Sequence, residues 1–244
     1  MQESGRANAG GVVMDCEEAW ECVKSSDPAD RVDVARNLNT LPKECICDIA
    51  RKLADDKYDS VRDWVAYHLG ELPDKCKCDV ARKLADDKIR EVREWVAYNF
   101  STLPKECRCD VSKKLVEDEN ADVRDWIAYN LHGIPEECRC EIALKLAEDE
   151  DDGVRIKVSH DLDEIPDECA CDIGRKLADD KNNEVREWVA YNLDKIPEEC
   201  ACELALKLVK DKCPEVRRGV EAVADRLPEE CRRRVKILAT FLGG

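Results

Sequence analysis

Prolines recur at Pro42, Pro73, Pro104, Pro135, Pro166, Pro197 and Pro228, each 31 residues after the last. The same lattice carries Arg31, Arg62, Arg93, Arg124, Arg155, Arg186 and Arg217, and the aspartates Asp56, Asp87, Asp118, Asp149, Asp180 and Asp211. A fixed period of this length marks a repeat array, in which one small unit is copied and stacked. Six full units start near residues 42, 73, 104, 135, 166 and 197, with partial units as caps over 14–41 and 228–244. No separate second domain is visible, so 14–244 reads as a single repeat domain. Residues 1–13 (MQESGRANAGGVV) lack the apolar stretch of a signal peptide and read as a disordered leader.

One unit, 41–71, reads LPKECICDIARKLADDKYDSVRDWVAYHLGE. Cys45, Ile49 and Leu53 form one stripe at helical spacing, which predicts a first amphipathic helix over 42–54 with Pro42 in its first turn. The polar run 55–60 turns the chain. Val61, Val65, Leu69 and Leu72 then predict a second helix that the next proline ends. Two such helices cannot bury their apolar faces alone, but stacked neighbours can, so the chain is expected to be an all-α solenoid.

The pattern Asp-x-x-x-x-Val-Arg-x-x-Val-Ala-x-x-Leu, as at 56–69, resembles the HEAT-like repeats, above all the short 31-residue kind used for designed alpha-Rep scaffolds. The resemblance covers about 16–240. It implies a right-handed α-solenoid of two-helix HEAT-like repeats, an architecture that hosts many roles. The Arg and Asp lattices read as scaffold: Arg62 is expected to tie the turn acid Asp56 of its own unit or its copy in a neighbouring one.

The chain has 16 cysteines, and each full unit contributes a Cys-x-Cys pair: Cys45/Cys47, Cys76/Cys78, Cys107/Cys109, Cys138/Cys140, Cys169/Cys171 and Cys200/Cys202. One period before Cys47 stands Cys16, but the matching first position is Met14; one period after Cys200 stands Cys231, but the matching second position is Arg233. The missing outer cysteines fit bonds between neighbouring units: Cys16–Cys45, Cys47–Cys76, Cys78–Cys107, Cys109–Cys138, Cys140–Cys169, Cys171–Cys200 and Cys202–Cys231. Residues i and i+2 lie about 200° apart on a helix, so one faces each neighbour. Facing Cα atoms on helices about 8–10 Å apart come within disulfide reach. Two other readings stay open: reduced cysteines as small core residues, and thiolate binding of Cu(I) for storage or redox work, the latter with only three histidines to support it. Cys22 aligns with Leu53 as a core residue, and Cys213 is the candidate free thiol.

With 40 Lys+Arg against 56 Asp+Glu, the formal net charge is −16, which opposes binding to nucleic acid or anionic membrane. No apolar run nears the ~20 residues of a membrane helix. Disulfides imply an oxidising compartment or a hyperthermophile's cytosol. The 39% of charged residues favours the cytoplasm of a thermophile and a thermostable chain, and a removed signal sequence would make it extracellular.

Trp64, Trp95, Trp126 and Trp188 share one lattice position, and Tyr67, Tyr98, Tyr129 and Tyr191 another. On a helix whose buried face centres on Val61 and Val65, Tyr67 points away from the core and Trp64 to its flank. In the alpha-Rep relatives the matching positions lie on the concave surface and are varied for binding. The resemblance therefore implies a Trp/Tyr ridge there, beside Asp63, Glu94, Asp125 and Glu187, interrupted in the fifth unit by Lys157 and His160. Packing of the tryptophans between repeats is the competing reading. The function expected is a non-enzymatic interaction scaffold without cofactor, whose partner is a protein or peptide, a basic one suiting the acids. No Ser/His/Asp set, phosphate loop or zinc spacing supports catalysis.

Overall fold

A computed structural model describes residues 14–242 of the chain; the leader expected over 1–13 lies outside the described residues. The chain divides between Pro104 and Lys105 into two compact units. The first holds α1 (Cys16–Lys24), α2 (Pro28–Arg36), α3 (Ile46–Leu53), α4 (Asp59–Tyr67), α5 (Asp74–Leu84) and α6 (Arg90–Tyr98). The second holds α7 (Lys105–Leu115), α8 (Ala121–Tyr129), α9 (Glu136–Leu146), α10 (Asp152–His160), α11 (Asp167–Leu177), α12 (Asn183–Tyr191), α13 (Glu198–Leu208), α14 (Pro214–Val223) and α15 (Glu229–Leu242). No strand occurs among the described residues, and the fold is an all-α solenoid.

Odd-numbered helices are the first of each repeat and even-numbered helices the second. Within the first unit α1, α3 and α5 pack in succession, as do α2, α4 and α6; α9, α11, α13 and α15 and, beside them, α8, α10, α12 and α14 repeat the arrangement in the second. The core lies between these two layers. Ile49 and Leu53 face Val61, Val65 and Ala66 there, and all five are buried. Each of the four larger side chains contributes about 1.5–3 kcal/mol against leaving it in water. One close approach needs glycine: a Cβ at Gly219 on α14 would lie 2.9 Å from the Ala190 Cβ of α12.

Both helix ends differ from the periodicity reading. Pro73, Pro135, Pro166 and Pro197 stand one place before the helix, as N-caps with ψ of 136–141°. The first turn is acidic instead, as at Asp74 or Glu136 and Glu137, where a carboxylate complements the exposed N–H groups. In the first full unit α3 begins only at Ile46. The second helix stops at Tyr67, and His68–Glu71 form a 3₁₀ turn that carries the buried Leu69. Leu72 precedes Pro73 and is extended (φ −66°, ψ 150°), because proline crowds the helical conformation of the residue before it.

Candidate functional site

Sulfur joins the first-helix layer. In the first unit Cys16 bonds Cys45 and Cys47 bonds Cys76; in the second the bonds are Cys109–Cys138, Cys140–Cys169, Cys171–Cys200 and Cys202–Cys231. Every bond spans 29 residues, with Cα atoms 5.5–5.9 Å apart. Cys78 and Cys107 are also disulfide-bonded. Cys22 and Cys213 are free thiols, and each is partly exposed. Burial, with the acids Asp30 and Asp33 near it, pushes the Cys22 thiol above its ordinary pKa. Cys213 donates to Glu215 at 3.0 Å. Chain-entropy reasoning gives about 3–4 kcal/mol for a closed loop of this size.

The turns are joined by charge. Arg155 Nε donates to Asp180 Oδ2 at 2.6 Å and its second arm to Oδ1 at 3.0 Å, while the remaining nitrogen donates to the Asp149 carbonyl at 2.6 Å. Arg31 repeats this on Asp56 and Ser25, Arg124 on Asp149 and Asp118, and Arg186 on Asp211 and Asp180. Arg62 does so with Asp87 and Asp56. Both partners that the sequence left open are therefore used: the main chain of the arginine's own turn and the carboxylate of the next. Each acid also accepts an N–H two residues on, as Asp180 does from Asn182 at 2.8 Å, which folds the turn. Burial alone would raise Asp87, Asp180 and Asp211. The guanidinium and the turn N–H outweigh it and hold all three below the ordinary carboxylate value. The hydrogen bond to Asp180 in turn raises Arg155.

The second helices carry the aromatic rows. Tyr67, Tyr98, Tyr129 and Tyr191 are 44, 50, 57 and 37% exposed, whereas Trp64, Trp95, Trp126 and Trp188 are half-buried. Tyr67 meets Trp95 of the next repeat edge-on at 4.9 Å between centroids, and His160 meets Trp188 in the same way at 4.4 Å. Upstream, the Arg36 guanidinium lies over Trp64 at 5.3 Å. Trp64, Trp95 and Trp188 thus take part in contacts between repeats, while the four tyrosines keep much of their surface in solvent. Among the acids, Asp63 is half-buried with Oδ1 out of water and without a hydrogen-bond partner. Burial, the nearby Glu91 and Asp59 raise its pKa, against the Trp95 indole N–H, which lowers it. Asp125 pairs with Lys157 at 3.1 Å.

Two sets of polar groups serve the backbone. Asn99 Nδ2 donates to the carbonyls of Ala66 and Trp95, Asn192 to those of Ser159, His160 and Trp188, and His68 Nε2 meets the Arg36 carbonyl at 2.8 Å. The residue between the paired cysteines was not singled out by sequence. Lys77 nevertheless donates to the carbonyls of Gly70 and Thr102, Arg108 to that of Gly133, and Arg139 to those of His132, Ile134 and Glu164. Apart from Ile134, which follows its turn, the carbonyls they cap belong to the 3₁₀ turns. Among the described residues no group of three or more His, Cys, Asp or Glu is placed to hold a metal ion, and no helix is long and apolar enough to cross a membrane.

A family model described as HEAT repeats matches residues 140–224. No match was found among the curated proteins. Among solved structures, an engineered protein is similar over 91% of this chain and 71% of its own, at 19% identity and a TM-score of 0.55. YibA of Escherichia coli aligns over 98% and 99% at 17% identity and 0.50, and the CpcE–CpcF phycocyanin lyase complex of Nostoc over 99% and 99% at 15% identity and 0.51. At these identities the likeness concerns the fold. The chain is a helical repeat protein, with HEAT repeats matched over 140–224.

Proposed function

We propose that the chain is a non-enzymatic interaction scaffold whose second-helix face takes a protein or peptide with basic side chains. One observation carries the reading: four tyrosines on one lattice position keep between 37 and 57% of their surface in solvent, each with an acid one helical turn before it, at Asp63, Glu94, Asp125 and Glu187. Aromatic rings with polar tips dominate protein-binding hot spots, and a carboxylate beside a ring suits an ammonium or guanidinium group. The contact of Arg36 with Trp64 is an example of such a pair inside the chain. Nucleic acid and anionic membrane are disfavoured partners for a charge of −16. Sulfur tied into bridges has no thiolate to offer a metal, which supports the scaffold over a Cu(I) store or redox carrier.

The test uses the oxidised full chain and fluorescence polarisation with labelled Lys/Arg-rich and Glu-rich peptides of equal length. The basic peptide is expected to bind, more weakly as salt is raised, and Tyr67→Ala or Tyr98→Ala to weaken it about fivefold or more. Equal binding of both peptides, or none, refutes the proposal. Thiol titration before reduction separates the alternative: about two reactive thiols fit the scaffold, and up to sixteen, the fourteen lattice cysteines with Cys22 and Cys213, fit the metal store.

A further inference from the structure

Two of the first helices carry charge where the others are apolar. Glu18 of α1 stands at the lattice position of Ile49, Val80, Ile142 and Leu204, which are all buried, and is itself exposed. Lys236 of α15 stands at the position of Ala50, Ala81, Gly174 and Ala205, also buried, and is exposed as well. These two positions touch between consecutive first helices: a Cβ at Gly174 would lie 3.1 Å from Leu204 Cδ1. Cys16 bonds α3, and the face of α1 turned away from it carries Glu18 and Glu21, with Glu17 at the flank. Cys231 bonds α13, and the face of α15 turned away from it carries Arg233, Lys236 and Ile237, with Phe241 at the flank. All seven are exposed, Ile237 at 56% and Phe241 at 81%. Their present ion pairs, Arg233 with Glu229, Lys236 with Asp225 and Glu21 with Lys24, lie in solvent and contribute little.

We propose that α15 of one copy docks on α1 of a second copy, as one first helix meets the next within the stack. Charge complementarity selects that occupant. In this register Lys236 comes opposite Glu18, so a carboxylate in place of an apolar residue on one helix is met by an ammonium on the other. A polar cap that served solubility alone would need no such matching of sign and position. Arg233 stands at the position of Cys47 and Met14 at that of Cys45, so the joint has no disulfide, and Arg233 lies within a turn of Glu17 and Glu18. The pairs Arg175–Glu203 and Lys207–Asp179 set Ile237 opposite Glu17 and Phe241 opposite Glu21, where each covers a methylene stem. Two α15 helices facing each other would instead set cations against cations. One helix on one helix buries less than the about 1,200 Å² of a stable interface, so the association is weak and falls with salt. The two faces differ, so each contact leaves a free α1 and a free α15 for further copies.

The experiment is sedimentation velocity of the oxidised full chain from micromolar to near-millimolar concentration, at low and at high salt. Dimers and longer series are expected at high concentration in low salt, and monomer in high salt. Glu17→Gln/Glu18→Gln/Glu21→Gln leaves an acceptor for the Asp15 N–H that Glu18 now takes, and so keeps the start of α1 intact. That variant and Arg233→Gln/Lys236→Gln are each expected to weaken association about tenfold or more. Phe241→Ala is expected to weaken it about fivefold through lost burial. An equimolar mixture of the two charge variants holds one unaltered α15 and one unaltered α1 that fit each other, and is expected to stop at a dimer of wild-type affinity. Monomer at every concentration in low salt, or a mixture that stays monomeric, overturns the proposal. So does association that the α1 variant leaves unchanged, which is the result for α15 meeting α15. Association weakened by Tyr98→Ala but not by the α1 variant also overturns it, by placing α15 on the second-helix face of the other copy. None of these results bears on whether that face takes a basic peptide.

Discussion

Arg155 makes the charge lattice testable at one side chain. It is buried, pairs with Asp180 through two nitrogens at 2.6 and 3.0 Å, and caps the Asp149 carbonyl at 2.6 Å. In Arg155→Met the stem is kept and the charge lost. Asp180, whose side chain is 9% exposed, then keeps the Asn182 N–H as its described partner, and the Asp149 carbonyl loses its donor. Breaking one half of a buried pair costs about 3–5 kcal/mol, mostly because the other charge stays buried. Removing both charges in Arg155→Met/Asp180→Leu discards that penalty. What remains is the freed Asn182 N–H and the Asp149 carbonyl, about 1–2 kcal/mol together. The assay is amide hydrogen exchange by mass spectrometry over 149–186 with disulfides intact, since a stack of repeats opens locally. The single variant should open most and the double should recover more than half of the loss. A single variant costing less than about 1 kcal/mol, or a double worse than the single, refutes the argument that these arginines act as buried, paired charges.

Acid is expected to loosen the same lattice. The folded carboxylates of Asp87, Asp180 and Asp211 lie below their ordinary value, so on acidification the unfolded chain takes up protons first. Their stabilisation is complete above about pH 5 and is lost progressively from about pH 4 downward, which circular dichroism melts between pH 2 and 7 will follow. The double variant Cys109→Ser/Cys138→Ser should lose at most about 3–4 kcal/mol, with the added hydrogen exchange centred on α7 and α9. Reduction should be ordered by access: Cys47 and Cys76 are both buried, whereas Cys109, Cys140, Cys171 and Cys202 are half-exposed. Brief treatment with a mild reductant, then alkylation and peptide mapping, is expected to label the half-exposed set first and the Cys47–Cys76 bridge last.

The solenoid and its disulfide bonding were legible because both follow from the period. A unit repeated every 31 residues leaves its ends short by what each neighbour would have supplied, and the counts at Met14 and Arg233 carry that signal. Geometry between repeats was not legible in the same way. A helical wheel sets Trp64 and Tyr67 both off the core, yet in the stack Trp95 meets the ring of Tyr67 and stays half-buried while Tyr67 remains in solvent. The capping residues Lys77, Arg108 and Arg139 were missed for two reasons. Their lattice position also holds Ile46, Ala170 and Ala201, so it shows no period. The carbonyls they bind belong to 3₁₀ turns that the apolar spacing of Val65, Leu69 and Leu72 had assigned to a longer helix.

Asp63 separates stability from binding more sharply than any other residue of the face. Its Oδ1 is dry and unpartnered, and its pKa is raised first by burial and then by Glu91 and Asp59. A raised carboxylate pKa means that the folded chain holds the proton more tightly than the unfolded one. Its favourable contribution is therefore present below about pH 4 and is lost as the pH rises through the folded value, so at neutral pH the ionised form costs stability. Asp63→Asn removes the charge with almost no change of shape. It is expected to stabilise the chain at pH 7 by about 1 kcal/mol, a rise in Tm of about 2–4 °C, with the gain vanishing near pH 3. If the acid is kept for a cationic partner, the same substitution weakens basic-peptide binding, the opposite direction from its effect on stability. Melting curves and polarisation titrations on one preparation decide the matter. A stabilised variant with undiminished binding would place Asp63 outside the interaction face, and a destabilised one would mean that its charge is paired in solution.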